Sequence, residues 1–182
     1  MDKHNFNWDA TAFFKHLTDT NRLAQQEGFT FCRVSGLEGF EEALHHSQTS
    51  SAFVCVSDIS QGHTDINNSP HTRRVKTVFL AMRHALDDME ARQECMDIMR
   101  ELFRQFMSVL IQEKTRIEQN NIYVDPRISF HEIDRYFFTG CACAYFQIAT
   151  DTYTNLCYDS GEWSRDILSD RVFSKCFTKQ FE

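Results

Sequence analysis

Chain breakers are scarce in this sequence: two Pro and six Gly in 182 residues. Little material exists for a glycine-rich phosphate cradle, and no G-x-G-x-x-G, phosphate-loop or G-x-S-x-G pattern occurs. Positive charge is also in short supply. The formal net charge is −7, from 19 Lys+Arg against 26 Asp+Glu. A general cationic footprint for nucleic-acid backbones is therefore missing, and no direct nucleic-acid binding is expected. The one basic run, HTRRVK (His71 to Lys76), reads as a solvated strand entrance. No apolar stretch is long enough to span a bilayer, and the opening MDKHNFNWDATAFFKHL has no charged start followed by an apolar run. The expectation is a cytoplasmic chain with no membrane partner and no export.

Cysteine is not scarce, but its useful spacings are. Seven cysteines are scattered along the chain, and free thiols in a reducing compartment are the default reading. Structural zinc wants four ligands, usually as two close pairs. The only close pair is C-x-C, Cys141 and Cys143, with Cys157 further on; Cys32, Cys55, Cys95 and Cys176 stand alone. A C-x-x-C redox motif is missing. A disulfide between Cys141 and Cys143 is disfavoured, because α-carbons two residues apart on a strand lie about 6.5–7 Å apart. Of eight histidines none forms H-E-x-x-H, and His131-Glu132 lacks its second His. A cysteine nucleophile and a histidine base meet only in space, and nothing singles out one cysteine. The sequence thus points to no catalytic residue, no metal and no cofactor. The alternative is a small cytosolic Cys/His-dependent enzyme or metal-binding regulatory domain.

What is present is a folded, Phe-rich core: 17 Phe and an apolar fraction of 42%. A domain of this length buries roughly 70% of its unfolded surface and needs no staple. Residues 1–182 are expected to form one domain, with its core over about 29–163. A helix is expected over about 8–26, capped by Asn7 or Asp9 and stopped by Gly28. FTFCRV and SAFVCVS read as strands, flanking a short helix with Phe40 and Leu44 inward. DISQGHTDINNSPHTRR (Asp58 to Arg74) reads as a long polar loop, and Val75 to Ala85 as the third strand. From Asp88 to Glu118 the spacing predicts a long amphipathic helix, with Cys95, Ile98, Met99, Leu102, Phe106, Val109 and Leu110 as its apolar stripe; Phe103, Met107 and Ile111 widen it. NNIYVDPRI breaks that helix at Pro126. SFHEIDRYFFTG and CACAYFQIATDT then form a hairpin around Gly140. The fold class is α+β: a mostly antiparallel sheet, the long helix packed on one face, and an N-terminal helix. A C-terminal arm over about 164–182 carries Phe173, Phe177 and Phe181 at helical spacing.

In GCACAYFQIATDT, alternation places Cys141, Cys143 and Tyr145 on one face and Ala142, Ala144, Phe146 and Ile148 on the other. If the alanine side meets the long helix, the thiols look outward to solvent or to a neighbouring subunit.

The order of elements resembles the α+β fold of tail terminator and related head–tail or tail-completion proteins of long-tailed bacteriophages. SAFVCVSD, the polar loop, TVFLAMRHALDD, CMDIMRELFRQFMSVLIQE and YFFTGCACAYFQIATDTYTNLCYDSGEW carry the likeness, roughly from Phe29 to Trp163. The resemblance implies a non-enzymatic virion subunit that assembles with itself into a ring, commonly a hexamer, and contacts other tail or head proteins in the host cell or virion. Its interface would involve Asp58, Gln61, His63, Asp65, Asn67, Arg73 and Arg74 of the polar loop, with Phe173 and Phe177 of the arm.

Overall fold

A computed structural model of the chain describes residues 8–46, 50–58, 61–66, 70–86, 88–133 and 140–164. The carboxylate of Asp9 accepts from the Ala12 amide at 2.9 Å and so starts α1 (Ala10–Thr20). The single helix expected over 8–26 is broken at Asn21. Its backbone is extended, and its side chain caps a second short helix, α2 (Arg22–Gln26), through the Ala24 amide. Gly28, at φ +72°, ends this run in a conformation that side chains disfavour.

β1 (Phe29–Val34) leads through α3 (Leu37–His46) into β2 (Ala52–Ser57), which runs parallel to β1. The long loop expected over Asp58–Arg74 is instead largely a hairpin. β3 (Gln61–Asp65) pairs antiparallel with the start of β4 (His71–Arg83), so the latter begins at His71 rather than Val75. The hairpin escaped the sequence reading because QGHTD is exposed along nearly all of its length, and a strand with no buried face carries no apolar alternation.

Asp88 caps α4 (Met89–Gln119), accepting from the Ala91 amide at 2.8 Å. Its 31 residues match the expected long helix. Its buried face runs through Cys95, Met96, Met99, Leu102, Phe106, Leu110 and Ile117. Val109 and Ile111, expected in the stripe or on its flank, are exposed, and Ile111 is 66% accessible. At about 100° per residue, Ile111 is turned well away from a face centred on Met99, Phe106 and Leu110. The segment after the helix does more than break it: β5 (Ile122–Val124) joins the sheet, followed by β6 (Phe130–Ile133) and β7 (Cys141–Tyr153). Gly140, at φ +76°, opens β7, as expected of a turn there.

β4 and β7 pair along their whole lengths, from His71↔Tyr153 to Arg83↔Cys141, and form the spine of the sheet. β2 and β3 lie on the far side of β4, with β1 outside β2; β6 and β5 lie on the far side of β7. Every pairing except β1–β2 is antiparallel, so the chain has the expected α+β, mostly antiparallel architecture.

α1 and α4 cover one face. Phe14 of α1 meets Phe106 of α4 and Phe146 of β7 at ring separations of 5.9 and 5.6 Å. Ala142 and Ala144 lie fully buried in this same cluster, where small side chains let α4 come close. α3 covers part of the opposite face, with Phe40 stacked on Phe79 at 4.7 Å. Phe40 and Leu44 point inward as expected. The arm from residue 165 onward, including Phe173 and Phe177, lies outside the described residues, as does Asn67.

Candidate functional site: the partly covered face of the sheet

Strand alternation sends Phe53 and Cys55 of β2, Thr77, Phe79 and Ala81 of β4, and Cys141, Cys143 and Tyr145 of β7 to the face opposite α1 and α4. α3 is ten residues long and seals only one end of that face. Beyond it lies a groove of about 540 Å³, lined by Leu37, Val75, Thr77, Phe79, Ile133, Tyr145 and Gln147 among others. Its volume is that of a small-ligand or side-chain pocket. Gln147 donates to the Thr77 hydroxyl at 3.2 Å, and His131 stacks on Tyr145 with ring centroids 4.9 Å apart. Glu132 is tied to Arg100 of α4 at 2.6 Å.

At the sealed end sit four cysteines. The faces of β7 divide as expected, but the thiols do not look outward. Cys141 and Cys143 are buried, at 4% and 1% exposure, in the second core beneath α3. The outward expectation assumed a sheet covered on one side only; the β1–α3–β2 crossover adds a second layer. Burial raises the pKa of both thiols, so they behave as small apolar side chains. Cys32 and Cys55, which stand alone in the sequence, are direct partners in the parallel β1–β2 ladder, with sulfurs 2.7 Å apart. The hydrogen bond between them holds the Cys32 thiol below its ordinary pKa and raises that of Cys55, which burial raises further.

At the open end Arg73 is gripped by two carboxylates of its own chain, Asp151 at 2.9 Å and Asp125. The guanidinium pKa is raised, chiefly by its hydrogen bond to Asp125. Asp125 is held below the usual carboxylate range, first by the Arg127 amide and then by Arg73.

The remaining loop residues separate. Asp58 is exposed and accepts from Arg33 Nε at 2.8 Å, while its carbonyl accepts from Lys76. Gln61 and His63 are exposed on β3, opposite Val75 and Arg73, and Asp65 is half-buried opposite His71. Arg74 points to the other face, where it lines a cavity of about 370 Å³ with Trp8, Asp9 and Lys76. Gln61, His63 and Asp65 thus share one strand, whereas Arg73 and Arg74 face opposite sides of the sheet.

Asp125, Asp151 and the Cys32–Cys55 pair were missed. The cysteines did leave a trace: FTFCRV and AFVCVS are equal in length, and each has cysteine in fourth position. In-register parallel pairing is what brings them together. Among the described residues no group of three or more His, Cys, Asp or Glu side chains is placed to hold a metal ion, and no helix is long and apolar enough to cross a membrane. No protein-family model and no curated protein sequence matches this chain.

Proposed function

We propose that this chain works by contact: a non-enzymatic structural subunit that associates with itself into a ring, in the manner implied by the resemblance to phage tail-terminator and tail-completion proteins. The observation that supports this reading best is β3. Among the described residues this strand pairs with β4 alone; it is polar and exposed, and its other edge suits an incoming strand. The ring's other partners would be tail or head proteins of the same particle, in the host cell or the virion.

Gly62 provides the handle for a test. A Cβ at this position would lie 1.9 Å from the Arg73 carbonyl oxygen, so any side chain pushes β3 away from β4. Light scattering of the purified chain over a wide concentration range is expected to give a multiple of the protomer mass. Gly62→Ala is expected to shift that equilibrium toward monomer while the helical circular dichroism stays unchanged. A strict monomer at the highest concentration, with no ring formed on adding partner proteins, would sink the reading. Unchanged assembly of Gly62→Ala would remove β3 as its contact.

A further inference from the structure

We propose that Cys32 and Cys55 are an oxidative modification site: a dithiol that hydroperoxides convert, reversibly, into a disulfide across β1 and β2. The inference is independent of the assembly reading. Three observations carry it. The two residues are register partners in adjacent strands, and strands lie about 4.8 Å apart, inside the α-carbon range that a disulfide spans. Their sulfurs already face each other at 2.7 Å, so bond formation requires side-chain adjustment and no rearrangement of the strands. Their accessibilities are unequal: Cys32 is only partly buried, whereas Cys55 is fully buried.

That inequality sets the order of events. Cys32 is the sulfur an oxidant reaches, and the hydrogen bond from Cys55 favours its thiolate. The thiolate attacks one peroxide oxygen; an S–O bond forms, the O–O bond breaks, and hydroxide leaves, leaving a sulfenic acid on Cys32. The Cys55 sulfur then attacks the Cys32 sulfur. The S–S bond forms, the S–O bond breaks, and the Cys55 proton leaves with the departing hydroxide as water. In sum two thiols lose two electrons and two protons, and one hydroperoxide is reduced. A thiol reductant reverses the change by exchange. Cys95, Cys141 and Cys143 are buried and held in their protonated form, chiefly by desolvation, so they are poor competitors. Cys157 is exposed but has no facing cysteine among the described residues. Oxidation would close a covalent loop around α3, fixing the crossover that seals the second face.

The test uses the full chain and hydrogen peroxide, followed by alkylation under denaturing conditions and peptide mapping without reductant. The expected result is a Cys32–Cys55 linked peptide that disappears on adding dithiothreitol, with Cys95, Cys141 and Cys143 still alkylated. The oxidised chain is expected to melt about 5–10 °C higher than the reduced one. In Cys55→Ser, which keeps the hydrogen-bonding group, Cys32 is expected to stop at the sulfenic acid and take up dimedone. The proposal is overturned if mapping of the wild-type chain finds Cys32 sulfinic acid with Cys55 still free, or other intramolecular disulfides in preference to this one. A folded Cys55→Ser that takes up no dimedone would overturn the order of attack. Should that variant not fold, the wild-type map alone decides.

Discussion

On the α1/α4 side of the sheet, Phe14, Phe106 and Phe146 interlock with the aliphatic residues of four strands, and the core runs from Phe29 to Val124. On the α3 side, one ten-residue helix covers one end, a groove opens in the middle, and an ion triad lies at the far end. The same spine strands, β4 and β7, serve both faces, so the difference does not come from the sheet. It comes from how much helix each face receives: 31 residues in α4 against ten in α3. The more fully covered face holds the larger core, whereas the other has room for a thiol pair, a groove and a half-buried arginine. The candidate groove and the arginine lie where packing is incomplete, which leaves them the access that contact needs.

Truncation on each face is the strongest way to break that contrast. Phe146→Ala opens a cavity where two helices meet β7, and should cost about 3–5 kcal/mol in denaturant unfolding. Phe40→Ala also removes a fully buried ring, but one whose role is to hold α3 on Phe79. Its loss should fall at or below the low end of that range, with faster hydrogen exchange confined to α3 and the β1–β2 end. Equal costs, with exchange rising everywhere, would show that the two faces form one cooperative core.

Arg73 probes the uncovered end. Arg73→Met leaves Asp125 and Asp151 without their cation and should cost about 1.5–3 kcal/mol, since hydrogen bonds to charged groups are lost from a site only partly open to water. The pH dependence follows from the depressed pKa of Asp125. Its contribution is present above the ordinary carboxylate value of about 3.9 and is lost as pH falls through the lower folded value. Wild type should therefore lose stability on acidification, and Arg73→Met should show a shallower loss. Some of the effect should remain, because the Arg127 amide still bonds to Asp125. Identical acid limbs would dissociate the arginine from the carboxylate's titration.

Ala144 probes the covered face from the opposite direction. Ala144→Leu adds volume in a fully buried position of the cluster that α4 packs on, and should cost about 1–3 kcal/mol by overpacking. A neutral outcome in thermal unfolding would mean that α4 stands off the sheet there.

How legible each face was in the sequence follows the same division. Periodicity located α4 and the split of β7 into an alanine face and a cysteine face, because both elements have a deeply buried side. It failed for β3 and β5, one an exposed polar strand and the other three residues long; neither offers enough buried positions to set a period. The candidate site was legible only in part. Arg73 stands out for its charge, but its partners, Asp125 just after β5 and Asp151 on β7, lie 52 and 78 residues further along the chain. Cys32 and Cys55 are meaningful only once β1 and β2 are known to pair in parallel and in register. Register is a property of tertiary pairing, and a one-residue slip would have sent the two thiols to opposite faces.

The smallest effect is expected at Arg33, next to one of those cysteines. Arg33 and Asp58 join the end of β1 to the exit of β2 at 2.8 Å, yet their side chains are 64% and 43% exposed. Water and salt screen such a pair, and ordering two mobile side chains offsets most of the Coulomb gain. Arg33→Ala should therefore cost about 0.2–1 kcal/mol, less at high salt. The backbone bond from the Asp58 amide to the Val34 carbonyl, at 2.8 Å, remains to hold the strands in register. A loss well beyond that range, insensitive to salt, would show that the β1–β2 end depends on this ion pair. The α3 face would then be held at its rim as well as by Phe40, and the contrast between the two faces would narrow.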